Sequence, residues 1–121
     1  MQERFRPGAG CFFQALEQTC AGDPITENDV SRIVYTVYEL GYNGSRTAVT
    51  GHNTVSVPTS CVTEVQTDPE TQEQYNVRIP ISAITNRPFP NVGCTYEIEV
   101  IFYDQNGEPH AEYKQGLCDT T

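Results

Sequence analysis

Apolar and polar residues alternate with a period of two through several short stretches of the chain. The clearest stretch is Thr95–Asp104. One of its faces would carry Tyr96, Ile98, Val100 and Phe102. Because successive side chains of a strand point to opposite faces, this alternation predicts a strand with one buried face. The pair Asn106-Gly107 then predicts a hairpin turn, and alternation resumes over residues 108–116.

Four further stretches also predict strands. They are residues 11–16, 32–40, 47–51 and 75–82. Residues 32–40 are apolar on both faces until Glu39, which is typical of a central strand whose second face is partly covered. Pro80 has no backbone N–H to donate, so it favours an edge position for its strand.

The segments between these strands give weaker signals. Thr26 and Asp29 have the spacing of a capping box, which predicts a single helical turn. Residues 53–66 fit either a short helix or a strand. Six or seven short strands separated by turns predict an all-β fold, a small antiparallel β-sandwich.

The chain of 121 residues suits one domain. Residues 1–10 are polar and contain Pro7, Gly8 and Gly10, which favours an extended N-terminal arm. Residues 11–121 would then form the folded domain.

Acidic residues outnumber basic ones by 16 to 7, for a net charge of −9. This balance disfavours binding to nucleic acid and to anionic membranes, because both require Lys and Arg. It favours solubility or docking onto a basic protein surface. No apolar run approaches the ~20 residues of a membrane span, and the N-terminus lacks the apolar core of a secretory signal, so we expect synthesis in the cytoplasm.

Five cysteines are many for a short cytoplasmic chain. They are Cys11, Cys20, Cys61, Cys94 and Cys118. No C-x-x-C pair is present, and neither His52 nor His110 has a Cys or His near it in sequence, so we expect no zinc site and no cofactor. The five are candidates for disulfide bonds within or between subunits, or for buried small hydrophobes. A catalytic thiol is the least favoured of the three interpretations.

Several residues have side chains that could take part in catalysis. Glu97 and Glu99 share one strand face and could do acid–base work, but the solvated outer face of a strand also explains them. His52 with Cys61 or Ser60 could form a nucleophilic pair, yet no G-x-S-x-G elbow surrounds them. We therefore predict a protein that is not an enzyme.

Two turns also match ligand or modification patterns. Residues 104–108 have the oxygen-bearing side chains and the glycine of a calcium-binding loop, but the segment is too short for an EF-hand. Asn43-Gly44-Ser45 fits the N-glycosylation pattern. Because Asn-Gly is a strong two-residue turn signal, a hairpin turn is the favoured interpretation of each.

Three segments together resemble a known group of proteins. They are RPGAGCFFQALEQ, ITENDVSRIVYTVYEL and RPFPNVGCTYEIEVIFYDQNGEPHAEYK, about half of the chain. They are similar to small Ig-like β-sandwich proteins among the structural genes of tailed bacteriophages and prophages. The matching residues are Thr26, Asp29, Val30, Ile33, Tyr35, Val37, Tyr38, Phe89, Pro90, Gly93, Tyr96, Glu97, Ile98, Glu99, Val100 and Phe102.

The resemblance implies a fold and a role. The fold is a single antiparallel Ig-like β-sandwich of about seven strands. The role is that of a non-enzymatic virion protein, made in the host cytoplasm, that binds other virion proteins in a homo- or hetero-oligomeric assembly. Capsid decoration (cement) and attachment at the head–tail neck or tail are the two roles it favours.

Candidate contact residues come from the arm and from the aromatic side chains. Exposed aromatic side chains are typical of interfaces, and of Phe12 and Phe13, which fall on opposite strand faces, one would meet a partner. The candidates are Arg4, Phe5, Arg6, Phe13, Tyr42, Phe89, Tyr103 and Tyr113. Phe89, between two prolines, is also expected to close one end of the core, and Tyr35 and Tyr96 are expected inside it. The alternative function is ligand or carbohydrate binding in loops 41–46, 66–74 and 85–93.

Overall fold

A computed structural model describes residues 3–119, and within them the chain is all-β. The strands are β1 (Glu3–Phe5), β2 (Cys11–Ala15), β3 (Val30–Leu40), β4 (Arg46–Ala48), β5 (Val55–Val57), β6 (Val62–Thr67), β7 (Gln74–Ile81), β8 (Thr95–Asp104) and β9 (Pro109–Cys118). Two single 3-10 turns, Glu27–Asp29 and Thr59–Cys61, complete the regular structure of this region. No helix in residues 3–119 is long and apolar enough to cross a bilayer.

The nine strands form two sheets. The large sheet has the order β1-β9-β8-β3-β4, with β5 also paired to β3, and the small sheet has the order β2-β7-β6. The pairing of β1 with β9 is parallel, whereas the other strand pairs in the described region are antiparallel. Residues 3–119 contain nine strands instead of the predicted six or seven, because β1 forms inside the predicted arm and β5 and most of β6 form in the ambiguous residues 53–66.

One hydrophobic core lies between the two sheets. The large sheet supplies alternate residues of β3 and β8, and the small sheet supplies alternate residues of β7. Its fully buried members include Ile33, Val37, Tyr96, Ile98, Val100, Val77, Ile79 and Ile81. Burial of each such aliphatic side chain contributes about 1.5–3 kcal/mol. The inward face predicted for residues 95–104 is therefore confirmed, as is the burial of Tyr35 and Tyr96.

Strand β3 is central, as predicted. It lies between β8 on one side and β4 and β5 on the other. Ile33 and Val37 face the core, and Val34 and Thr36 on the opposite face are also buried. The second face of β3 is thus covered, although no second sheet lies on it.

The predicted arm is not free in the structure. Residues 3–5 pair with residues 116–118 of β9, and Phe5 is buried. The ring of Phe5 stacks on that of Phe89 with a centroid distance of 4.0 Å. The arm is held against the domain because the aromatic ring of Phe5 fills one end of the hydrophobic core, where a polar side chain would be unfavourable. Residues 1 and 2 of the predicted arm lie outside the described residues.

Two local predictions have different outcomes. The helical turn at Thr26 is confirmed, because the Asp29 carboxylate accepts the Thr26 backbone N–H at 2.8 Å. The edge position predicted from Pro80 is wrong for the strand, since β7 is the middle strand of the small sheet. Proline is tolerated there because β6 pairs with β7 only at residues 74–77, so Pro80 has a strand on one side only.

Candidate functional site

Three of the candidate contact residues belong to the core instead. Phe5, Phe13 and Phe89 are each at most 3% exposed. Side chains alternate along β2, which explains the burial of Phe13. Its side chain points between the sheets, while Phe12 points outward and is 52% exposed. Phe89 has the other predicted role, that of closing an end of the core against Tyr96, with ring centroids 5.5 Å apart.

The other five candidates lie at the surface but not in one place. Arg4 is exposed within β1 and Arg6 directly after it, and the Arg4 guanidinium pairs with the Asp119 carboxylate at 3.0 Å. Tyr42 is fully exposed in the loop after β3. Tyr103 and Tyr113 share the outer face of the large sheet, one on β8 and one on β9.

This outer face carries a cluster of long side chains, which we name the arginine–tyrosine face. It comprises Arg32, Tyr38, Arg46, Glu97, Glu99, Tyr103 and Tyr113. The register of β3, β8 and β9 brings them together, since it sets Tyr38 opposite Glu97 and Glu99 opposite Tyr113. Sequence spacing alone shows only that Glu97, Glu99 and Tyr103 share a strand face.

Arg46 is the centre of the arginine–tyrosine face. Its guanidinium donates to Glu97 Oε1 at 2.7 Å and contacts Glu99 Oε2 at 3.4 Å. It also lies 4.0 Å from the centroid of the Tyr38 ring, a cation–π contact. The two glutamates considered for acid–base chemistry therefore bind one arginine, and this favours a structural role for both.

The residues at the two edges of the arginine–tyrosine face are also held by contacts within the face. The hydrogen bond with Glu99 and the charge of that carboxylate raise the pKa of Tyr113. At the other end the guanidinium of Arg32 lies 4.2 Å from the Tyr103 ring centroid. These side chains spread over the sheet, which explains how Val34 is buried without a covering layer.

A second feature is a cavity of about 440 Å³ between the β8–β9 hairpin and residues 17–20, which we name the acidic groove. Its apolar floor includes Ile25, Val30 and Phe102. Its ionisable lining residues are Glu17, Asp29, Asp104, Glu108, Glu112 and His110. Burial, together with the charge and hydrogen bond of Glu112, raises the pKa of Glu17 to about 7, and His110 opposes this shift. The groove therefore stabilises the charged form of Glu17 poorly.

Asn76 holds the acidic groove in shape. Its Oδ1 accepts the Glu17 backbone N–H at 2.8 Å, and its Nδ2 donates to the carbonyl oxygens of Glu17 and Ile25 at 2.9 and 3.2 Å. The segment that it ties down covers it completely. Alternation in β7 places Asn76 on the outer face with Arg78, so the sequence carries no signal for this burial.

The tip of the β8–β9 hairpin groups Asp104, Glu108 and His110, whose ligand atoms lie within 4.8 Å of one another. However, Asp104 Oδ1 already accepts the backbone N–H groups of Asn106 and Glu108 at 2.8 and 3.0 Å. The bond from Glu108 is the largest cause of the lowered pKa of Asp104. This geometry supports the hairpin-turn interpretation of residues 104–108 over a calcium loop.

His52 is a buried structural residue. Its Nδ1 accepts the Tyr35 hydroxyl at 2.9 Å, and its Nε2 donates to the Asn86 carbonyl oxygen at 2.8 Å. Both ring nitrogens are therefore engaged, so His52 has none left to activate Cys61 or Ser60. Burial also raises the pKa of the Cys61 thiol, which disfavours the nucleophilic thiolate.

One of the loops proposed for a ligand lines a shallow depression. Asn86, Arg87 and Pro90 of loop 85–93 line this depression of about 390 Å³ beside β4 and Glu39. The Glu39 carboxylate there accepts the Asn91 side-chain amide and the Tyr96 hydroxyl, each at 2.7 Å, and these bonds lower its pKa. The Glu39 carboxylate is thus used in holding the loop through Asn91 and Tyr96.

Comparisons of the chain with protein-family models, with curated proteins and with solved structures found no match.

Proposed function

We propose that this chain is a non-enzymatic structural protein of a phage virion, built as an Ig-like β-sandwich, which binds other virion proteins through its arginine–tyrosine face. Capsid decoration and attachment at the neck or tail are the roles that fit such a protein. The observation that carries the proposal is the arginine–tyrosine face, a sheet surface of preorganised tyrosine and arginine side chains.

Two features support the Ig-like fold. The two sheets share one core in which strands distant in sequence are neighbours, as in Greek-key sandwiches. Tyr96, at the start of β8, accepts the backbone N–H of Asn91, five residues upstream, at 2.9 Å. That bond has the form of the tyrosine corner found in Ig-like sandwiches.

The chemistry of the arginine–tyrosine face suits a protein interface. Tyrosine and arginine are enriched among the residues that contribute most to protein–protein binding. Arg46 already holds Tyr38, Glu97 and Glu99 in place, so little side-chain entropy remains to be lost on docking. Since Arg46 pairs with Glu97 and Glu99 within the face, a partner can cover this arginine without leaving its charge unpaired.

The resemblance to virion proteins involves the same strands. Its second and third segments contain nearly all of β3 and β8 and the first half of β9. Tyr38, Glu97 and Glu99 are among the matching residues, and they lie at the centre of the arginine–tyrosine face. In a symmetric particle such a contact is repeated many times, so weak individual contacts add up through avidity.

The proposal is tested with a photocrosslinking residue at either of two exposed aromatic positions. Tyr113 and Phe12 are aromatic residues that are 54% and 52% exposed on the outer faces of the two different sheets, so they are matched in exposure but differ in location. Each variant is expressed in cells that produce the phage or induced prophage encoding the chain, and purified particles are irradiated. We expect the variant at 113, and not the variant at 12, to crosslink to a capsid, neck or tail protein.

Two results would contradict the proposal. Absence of the chain from purified particles, judged by mass spectrometry, would refute the virion role. Equal crosslinking from both positions would refute the arginine–tyrosine face as the contact surface. Binding of the isolated monomer to sugars on a glycan array would instead support the alternative, a carbohydrate-binding module.

A further inference from the structure

Cys94 and Cys118 are adjacent where β8 begins and β9 ends. The Cys118 backbone N–H donates to the Cys94 carbonyl oxygen at 2.9 Å, and the Gly93 N–H donates to the Cys118 carbonyl at 2.8 Å. A turn over residues 91–94 sets this position, with Gly93 at φ +88° and the Cys94 N–H donating to the Asn91 carbonyl at 3.4 Å. The backbone therefore fixes the two cysteines opposite each other.

Their side chains also lie on one side of the sheet. The next pair along the ladder is Thr95 with Leu117. Because side chains alternate along each strand, Cys94 and Cys118 share the opposite side, which is the core side. Cys118 is fully buried in the core, and Cys94 packs against it.

We propose that Cys94 and Cys118 close to an intramolecular disulfide when the protein meets an oxidising medium. Opposed residues of an antiparallel pair have Cα atoms about 4.5–5.5 Å apart, within the range of about 4.4–6.8 Å that a disulfide requires. At such a separation the bond would need only rotation of the two side chains. This inference does not depend on the virion role.

The other three cysteines lie elsewhere in the fold. Cys11 opens β2 in the small sheet, Cys61 ends the 3-10 turn before β6, and Cys20 is exposed in the loop after β2. Among backbone hydrogen bonds of the described residues, the one from Cys118 to Cys94 joins two cysteines directly. The structure thereby selects one pair from the candidates that the sequence leaves open.

Oxidation by a small-molecule disulfide such as oxidised glutathione gives a balanced reaction. The more exposed Cys94 attacks first as a thiolate, forming a mixed disulfide and releasing one glutathione thiolate, which takes up the proton lost by Cys94. The sulfur of Cys118 then attacks the Cys94 sulfur, and its proton passes to the second glutathione, which leaves as a thiol. Two protein thiols are oxidised, and one glutathione disulfide is reduced to two thiols.

The position of the bond predicts its effects. It would join the end of β9 to the start of β8, at the residue that also pairs with Phe5 of β1. Closing a loop of about 25 residues restricts the unfolded chain, so we expect the melting temperature to rise by about 10 °C. Burial and the neighbouring Cys94 raise the pKa of Cys118, so closure should be faster at higher pH.

The test is peptide mapping of the full chain after incubation with oxidised glutathione. Remaining thiols are blocked with N-ethylmaleimide, and the protein is digested with trypsin without reduction. Cleavage after Arg78 and Lys114 gives peptides 79–114 and 115–121, each with a single cysteine. We expect these two peptides to be joined, and to separate on reduction.

Variants distinguish this pair from the others. C94S should abolish both the joined peptide and the rise in melting temperature, whereas C20S, which removes an exposed thiol, should retain both. C94S is the principal variant because Cys94 is only partly buried, so it tests the pair without emptying a core position. N-ethylmaleimide on both Cys94 and Cys118 after oxidation, or either one bonded to a different cysteine, would overturn the proposal.

Discussion

Removing the charge of Glu17 should stabilise the protein at alkaline pH. Burial and the charge of Glu112 raise the folded-state pKa of Glu17 from 4.5 to about 7. A carboxyl group whose pKa is raised on folding binds its proton more tightly in the folded state. Stability is therefore lost as the pH rises from 4.5 to about 7, and the full cost is present above that range.

The size of this cost follows from the pKa difference. At about 1.4 kcal/mol per pH unit, the change from 4.5 to about 7 corresponds to about 3 kcal/mol. Glu17 is only partly buried, so solvent screening reduces the expected cost to about 1–2 kcal/mol. Glu17→Gln keeps the size and hydrogen-bonding capacity of the side chain but has no proton to lose.

The assay is urea denaturation followed by circular dichroism at pH 5, 6, 7 and 8. We expect E17Q to be about 1–2 kcal/mol more stable than the parent protein at pH 8 and nearly equal to it at pH 5. Glu64→Gln, at an exposed position of β6, is the control for the change in net charge. If E17Q and E64Q change the pH dependence equally, the explanation from the acidic groove is refuted.

Three further substitutions test the packing. N76A removes three hydrogen bonds to backbone groups of residues 17 and 25, of which the Glu17 carbonyl keeps its bond from the Ile25 N–H, and should cost about 2–3 kcal/mol in urea denaturation; a loss below 1 kcal/mol would contradict the role of Asn76. F5A should cost about 3–4 kcal/mol because its ring is buried, whereas a free arm predicts no change in melting temperature. Y96F removes the donor to Glu39 and should cost about 1–2 kcal/mol without unfolding the domain, as judged by circular dichroism.

The order of residues along the chain is enough to predict the strongly patterned elements. The strand Thr95–Asp104 has the bounds that its alternation predicts, and the hairpin at Asn106-Gly107 follows it. The central position of β3 in its sheet and the turn at Thr26 are also predicted correctly from the sequence. These features depend on neighbours within a few residues, so the local order of apolar, polar and turn residues is enough to specify them.

Which of these faces and segments are buried depends on how the whole chain packs. Alternation separates Phe12 from Phe13 but does not say which one lies between the sheets. Likewise, the residues next to Phe5 in sequence do not indicate that its ring stacks on Phe89. Those next to Asn76 do not indicate that a loop covers its side chain. These outcomes depend on contacts between residues far apart in the chain. Period-two alternation sorts side chains into two faces, and the packing of the whole chain decides which face is buried.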